Sequence, residues 1–154
     1  MVGKKIKGMV IDDLKESDLP EVVAIEAVSF KMPWSEVLFY NEIHNPRSVS
    51  KVARVNERIA GYVCANQIID EGHILNLAVH PEFRESGIAS ALVEYVIDYL
   101  KENNCRFIFL EVRVSNEIAR KMYGKFDFEV IGIRKNYYVT PVEDAVIMVL
   151  KMEE

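Results

Sequence analysis

Cysteine is scarce. Cys64 and Cys105 are the only two in 154 residues, too few for a disulfide framework. Cys64 lies in an apolar run and Cys105 starts another, so both read as reduced thiols of a reducing compartment. Histidine is nearly as rare, and His44, His73 and His80 share no metal-ligating spacing, so no metal is expected. Basic charge is in deficit: 19 Lys and Arg against 24 Asp and Glu leave a net charge of −5, which gives no footprint for nucleic acid. The short cluster Lys4, Lys5, Lys7 reads as a solvated terminus. No apolar run approaches the roughly 20 residues of a membrane span, and the N-terminus lacks a signal-peptide apolar region. The expectation is a cytoplasmic protein with no membrane partner. There is no internal repeat and no low-complexity segment. What remains is a globular composition, 50% hydrophobic and 28% charged, with enough chain for one core in a single domain, residues 1–154. An acidic balance mildly favours a cationic amine as substrate.

What is present is organised around Leu75–Leu92. Leu75, Leu77 and Val79 alternate with Asn76 and Ala78, the period of a strand. Pro81 has no N–H for a ladder and stops it. After Arg84-Glu85-Ser86-Gly87-Ile88-Ala89 an apolar stripe appears at helical spacing: Ile88, Leu92, Tyr95 or Val96, Tyr99. Strand, polar loop and helix therefore follow one another. Small residues at Ser86, Gly87, Ala89 and Ser90 let a ligand close on the backbone. The first N–H groups of a helix lack internal partners and lie at the positive end of its dipole, which suits a phosphate or diphosphate. Arg84 adds a possible charge-assisted contact. No Gly-Lys-Ser/Thr follows, so this is not a Walker loop, and the glycines do not fit a dinucleotide fingerprint. The string Arg-x-x-Gly-x-Ala alone is one that chance supplies often.

The stretch resembles motif A of the GNAT superfamily of N-acetyltransferases, Arg/Gln-x-x-Gly-x-Gly/Ala. The resemblance implies that Arg84, Glu85, Ser86, Gly87, Ile88, Ala89 and Ser90 cradle the diphosphate of acetyl-coenzyme A. Glu85 stands where the family has a basic or neutral residue, which weakens phosphate attraction. Ala89 is a common family variant.

The remaining elements follow from pattern. Gly8–Asp12 reads as a strand. Ser17-Asp18-Leu19-Pro20-Glu21 starts a helix whose apolar stripe is Leu19, Val22, Ile25 and Val28, with Glu21 and Glu26 toward solvent. Ser35 caps a second helix carrying Leu38, Phe39 and Ile43. Val49–Val55 and Ile59–Ile69 flank the turn Asn56-Glu57-Arg58 as a hairpin. Glu71-Gly72 turns into the strand Ile74–Val79, and a helix runs from about Gly87 to Glu102. Phe107–Val114 is apolar enough to be a strand covered on both faces, so strand, helix and strand make a right-handed parallel crossover. Ser115-Asn116-Glu117 opens a last helix, and Phe128–Tyr138 and Ala145–Met152 close the chain. The architecture expected is α/β (α+β): a mixed, mostly antiparallel twisted sheet with helices on both faces.

Three residues stand out chemically. Glu111 is a carboxylate inside an apolar strand. Desolvation there would raise its pKa toward the range of a general base; alternatively it emerges at the strand's solvent end. Tyr123 lies on the apolar face of the last helix, either as a core tyrosine or as a phenol able to return a proton to a thiolate. Asn116 caps that helix, which is compatible with a cofactor contact.

Beyond motif A the chain most resembles the ribosomal-protein-alanine N-acetyltransferases (RimI-type), and nearly as much the NatA-type N-terminal acetyltransferase catalytic subunits. The matching pieces are Pro-Trp-Ser at 33–35, Asn-Leu-Ala-Val-His-Pro at 76–81, Leu-Glu-Val-Arg-Val-Ser-Asn at 110–116, Tyr123, Asn-Tyr-Tyr at 136–138 and Glu-Asp-Ala at 143–145. The resemblance implies a GNAT fold whose two parallel central strands splay apart to admit the pantetheine arm. It implies pantetheine pairing with the backbone of Leu77, Ala78 and Val79, with the Val79 N–H polarising the thioester carbonyl. It assigns Glu111 as general base acting through water, Tyr123 as general acid and Asn116 as a cofactor contact. Tyr137, Tyr138 and Trp34 would wall the peptide groove, although Trp34 serves equally as a core anchor and one of the two tyrosines, pointing to opposite faces, simply packs. Asp127 replaces the family's glycine, so its turn either avoids positive φ or strains Asp. The activity implied is direct transfer of acetyl to a protein N-terminus, an alanine of a small-subunit ribosomal protein foremost. Alternatives are a NatA-type broad enzyme, a small-amine acetyltransferase, or a non-catalytic acetyl-coenzyme A-binding module.

Overall fold

The computed structural model describes residues 7–152. In chain order the elements are β1 (Met9–Asp13), α1 (Leu19–Ser29), α2 (Glu36–Ile43), β2 (Ser48–Val55), β3 (Arg58–Ile68), β4 (Glu71–Val79), α3 (Ile88–Glu102), β5 (Phe107–Arg113), α4 (Glu117–Lys125), β6 (Glu129–Val139) and β7 (Val142–Lys151). All seven strands form one sheet, ordered β1-β2-β3-β4-β5-β7-β6. Only the β4–β5 pair is parallel, as a helical crossover requires. Lys4 and Lys5 of the basic cluster lie outside the described residues, and Lys7 is exposed.

Two cores flank the sheet. One is filled by Ile88, Leu92, Val93, Val96 and Leu100 of α3, with Tyr123 of α4, against Ile108, Leu110 and Val112 of β5. The other joins Leu19, Val22 and Ile25 of α1 and Phe39 of α2 to Val52, Tyr62 and Ala78. Gly61 brings α3 close to the sheet: a Cβ there would lie 2.8 Å from Ile88 Cγ2 and 2.9 Å from the Ala78 carbonyl oxygen. The hairpin turn is Asn56-Glu57, both at positive φ (51° and 67°), the mirror-image turn whose twist suits a two-residue loop.

The register of β4 shifts between its pairs Ala65–Ile74 and Cys64–Asn76, leaving Leu75 as a bulge. One extra residue inverts the phase of everything after it. Leu75 packs on the α1–α2 side, whereas Leu77 and Val79 pack on the α3 side. The single alternating face read from Leu75, Leu77 and Val79 is therefore corrected.

α1 departs from expectation too. Val28 is 66% exposed and Glu26 only 1%, so the inward stripe runs through Glu26. Asp18, expected at the helix start, does not cap it by its side chain; it is buried and takes Arg54 Nη2 on both oxygens at 2.8 Å.

Candidate functional site

β4 and β5 pair only over Glu71–Phe107, Gly72–Ile108 and His73–Phe109. Beyond that both strands continue, unpaired with each other, which opens a wedge in the middle of the sheet. The ladder phase says which backbone groups line it. The His80 N–H donates to the Ala60 carbonyl at 2.7 Å. Hydrogen-bonded and open pairs alternate along an antiparallel ladder, so Gly61–Val79 and Val63–Leu77 are open pairs. The polar groups of Leu77 and Val79 consequently aim away from β3, into the wedge. Ala78 differs: it spends its backbone on Tyr62 and turns its small side chain to the α1–α2 core.

At the mouth of the wedge Gly87 caps α3 in the left-handed region (φ 87°), and Glu85 adopts φ 61°. Glycine takes such a backbone freely; glutamate does so at a cost. Among the described residues no protein acceptor takes the N–H groups of Ser86, Gly87, Ile88, Ala89 or Ser90. These five donors at the start of a long helix fit an anionic diphosphate. The Ile88 side chain is buried, so only its backbone faces outward. The Ser86 hydroxyl donates back to the Phe83 carbonyl. Arg84 is partly committed elsewhere: its Nε donates to the Val79 carbonyl at 3.1 Å and Nη2 to Ser29 Oγ at 3.2 Å. It braces the end of β4 against α1, and among the described residues its other donors have no partner.

Glu111 projects from β5 onto the α1–α2 side, and its Oε1 lies 2.9 Å from His73 Nε2 of β4. The two strands carrying these residues are still adjacent there, at the base of the wedge. A carboxylate only accepts, so Nε2 carries the hydrogen and leaves Nδ1 with the lone pair in the neutral ring. Glu111 was expected to have a raised pKa; it is instead lowered. The hydrogen bond from His73 is the largest cause and outweighs desolvation. Sequence reading missed His73, since nothing in a lone strand histidine announces a partner 38 residues away.

Tyr123 is 6% exposed, with its ring edge-on to Phe128 at 5.4 Å. Among the described residues its hydroxyl makes no hydrogen bond, and none joins it to Glu111. Burial pushes its pKa well up, with a smaller contribution from Tyr138. Asn116 caps α4, its Oδ1 accepting from the Ala119 N–H at 3.2 Å. Asp127 takes the positive φ its position demands, 70°.

The proposed groove residues divide. Trp34 packs on Phe39 at 5.1 Å and, half-buried, against the α1–α2 core. Three residues of β6, Lys135–Tyr137, bulge out opposite Asp144. This places Tyr138 under Arg113, 4.3 Å from guanidinium carbon to ring centre. Burial and the neighbouring Tyr137 push the Tyr138 phenol up to about 12, with Glu111 among its smaller influences. Tyr137 is more exposed, 4.9 Å from Arg134. Arg113 also holds Glu143 at 3.1 Å and the Thr140 and Pro141 carbonyls at 3.0 Å, pinning the β6–β7 turn. Among the described residues no group of His, Cys, Asp or Glu is arranged to hold a metal ion.

A sheet split between parallel strands, with a helix N-terminus at the mouth and a carboxylate–imidazole pair at the base, suits an activated acyl carrier and a nucleophile. The chain belongs to the acetyltransferase (GNAT) family, whose model matches residues 19–128, and it is an N-acetyltransferase. A Bacillus subtilis protein provisionally assigned as a ribosomal protein bS18-alanine N-acetyltransferase is 37% identical over 145 residues, covering 94% of this chain and 96% of the relative. The Escherichia coli ribosomal protein bS18-alanine N-acetyltransferase is 34% identical over 142 residues, covering 91% and 95%. The crystal structure of the ribosomal-protein-S18-alanine N-acetyltransferase from Escherichia coli matches with a TM-score of 0.89 at 32% identity, covering 95% of each chain.

Proposed function

We propose that this chain transfers acetyl from acetyl-coenzyme A to the α-amino group of a protein N-terminus, with the N-terminal alanine of a small-subunit ribosomal protein as acceptor. The observation that carries the reading is the Glu111–His73 pair at the base of the wedge lined by Leu77 and Val79. The substrate named for the two bacterial relatives supports the choice of acceptor.

Acetyl-coenzyme A supplies the acetyl group as a thioester. The N–H groups of Ser86–Ser90 receive its diphosphate, and Leu77 and Val79 offer strand-like pairing to its pantetheine amides. The Val79 N–H, aimed into the wedge, is the donor for the thioester oxygen. The Glu111–His73 pair takes a proton from the acceptor ammonium, whose pKa of about 8 asks little of its base. The lowered pKa keeps Glu111 ionised across neutral pH, and so able to accept, while making it a weaker base than an ordinary carboxylate. The free amine then attacks the thioester carbon, the carbon–sulfur bond breaks with its electron pair on sulfur, and the proton that the new amide nitrogen sheds passes to that sulfur, giving the free thiol of coenzyme A. Tyr123, its phenol pushed up by burial, gives up its proton reluctantly. It therefore serves the departing sulfur best as a hydrogen-bond donor. Cys64 is inert as a nucleophile, because burial pushes its thiol up to about 12. Two unpaired cysteines, Cys64 and Cys105, suit a reducing cytoplasm.

Mass spectrometry of ribosomal proteins and N-terminal peptides incubated with enzyme and acetyl-coenzyme A tests the reading. The expected product is one acetyl group on an N-terminal alanine. Acetylation spread over many N-termini, or confined to polyamines, would replace the acceptor. Cofactor binding without any transfer would overturn the activity.

A further inference from the structure

Glu26 is 1% exposed and plays no part in the chemistry above. Among the described residues no lysine or arginine pairs with it, although burying a carboxylate without a cation is costly. It is held by donors from three directions instead. Oε1 accepts from the Tyr62 hydroxyl of β3 at 2.6 Å and from Asn76 Nδ2 of β4 at 2.9 Å. Oε2 accepts from the Trp34 backbone N–H at 2.9 Å. Asn76 is the residue directly after the β4 bulge, whose phase decides that Leu77 and Val79 face the wedge. Trp34 sits in the segment linking α1 to α2, where Ser35 caps α2. One carboxylate thus ties the strand that lines the wedge to the segment linking α1 and α2, on the face of the sheet from which Glu111 projects.

We propose that Glu26 is a positioning residue that sets the distance between the β4 bulge and the Trp34 segment, and with it the fit of the acceptor N-terminus. The proposal rests on the acetyl-transfer reading for its acceptor. Glutamine holds the three donors less well: with its oxygen on Tyr62 and Asn76 its NH2 group opposes the Trp34 N–H and that wall is released, and only a turn of both the Tyr62 hydroxyl and the Asn76 amide to accept would keep it.

Trp34 is the only tryptophan of the chain, so intrinsic fluorescence reads its position directly. In Glu26→Gln the KM for an alanine-initiated peptide is expected to rise about tenfold, the scale of one hydrogen bond to a charged group. The acetyl-coenzyme A Kd should stay at the wild-type value, and the Trp34 emission should shift to the red. Asn76→Ala cuts only the β4 arm; it should raise the peptide KM and leave the emission in place, and it decides the matter if Glu26→Gln does not fold. Tyr62→Phe removes one donor without releasing either wall and should leave the peptide KM unchanged. Wild-type KM in both Glu26→Gln and Asn76→Ala would overturn the proposal. So would a parallel rise of peptide KM and acetyl-coenzyme A Kd in all three variants, the mark of general loosening. Fluorescence and cofactor affinity need no turnover, so a wild-type enzyme that acetylates no peptide would sink the functional reading while the emission of Glu26→Gln still judged the tie to Trp34.

Discussion

Glu111 and His73 form a pair whose partners are 2.9 Å apart and come from different strands. Which influence dominates Glu111 decides the acid side of the pH profile. With His73 present the carboxylate lies below its ordinary range, so kcat/KM should keep its carboxylate limb well under neutrality. In His73→Ala the main influence left on Glu111 is desolvation, which raises the pKa. The ionised fraction at a given acidic pH then falls, and the acid limb should move to higher pH; a limb that stays put would deny the coupling. Glu111→Gln should lower kcat about 100-fold or more, the usual range for a lost general base. Tyr123→Phe removes a hydroxyl that bonds to no described residue. It should cost little stability yet slow kcat about tenfold, the worth of about 1.4 kcal/mol at the transition state. Unchanged kcat would return Tyr123 to the core.

At the scale of elements, α4 shows how a turn holds the Tyr123 ring. The Asp127 N–H donates to the Gly124 carbonyl at 3.0 Å and the Phe128 N–H to the Tyr123 carbonyl at 3.1 Å. This is a Schellman end, and the Tyr123–Phe128 ring contact is the apolar clasp that accompanies it. The left-handed position falls to Asp127 at φ 70°. Asp127→Gly should therefore stabilise by about 1 kcal/mol, a rise in Tm of about 2–4 °C for a domain of this size, with kcat unchanged; a lower Tm would refute the strain. The sequence made this turn's dilemma visible because Asp interrupts Phe126-Asp127-Phe128, but it could not resolve it. Much else at this scale was legible. The Asn56-Glu57 hairpin, the Ser35 cap and the apolar strand β5 all follow from local chemistry. The β4 bulge was not, because Ile74-Leu75-Asn76-Leu77 reads as alternation in either phase and only pairing with β3 selects one. Glu26 was misplaced for a related reason. Helical spacing allowed it outward, and the donors that draw it inward come from residues 8, 36 and 50 positions away.

At the scale of the molecule, motif A and the strand after it were readable because each is local, whereas the pair at the base of the wedge is a product of topology. β4 and β5 meet only because a crossover helix brings them side by side, and they then diverge after three matched positions. Such an interrupted sheet is a protein one rung-set short of its own ladder. A ligand whose linear arm carries amides can stand in for the missing strand, so loading completes the secondary structure as well as the active centre. Hydrogen exchange would register this residue by residue. The Leu77 and Val79 amides should exchange quickly alone and slowly with acetyl-coenzyme A, while the intervening Ala78 amide, already bound to β3, stays slow throughout. Uniform protection of all three in the free enzyme would mean the gap is closed at rest. On this view the cosubstrate acts as a detachable eighth strand, and each turnover begins and ends with its docking and departure.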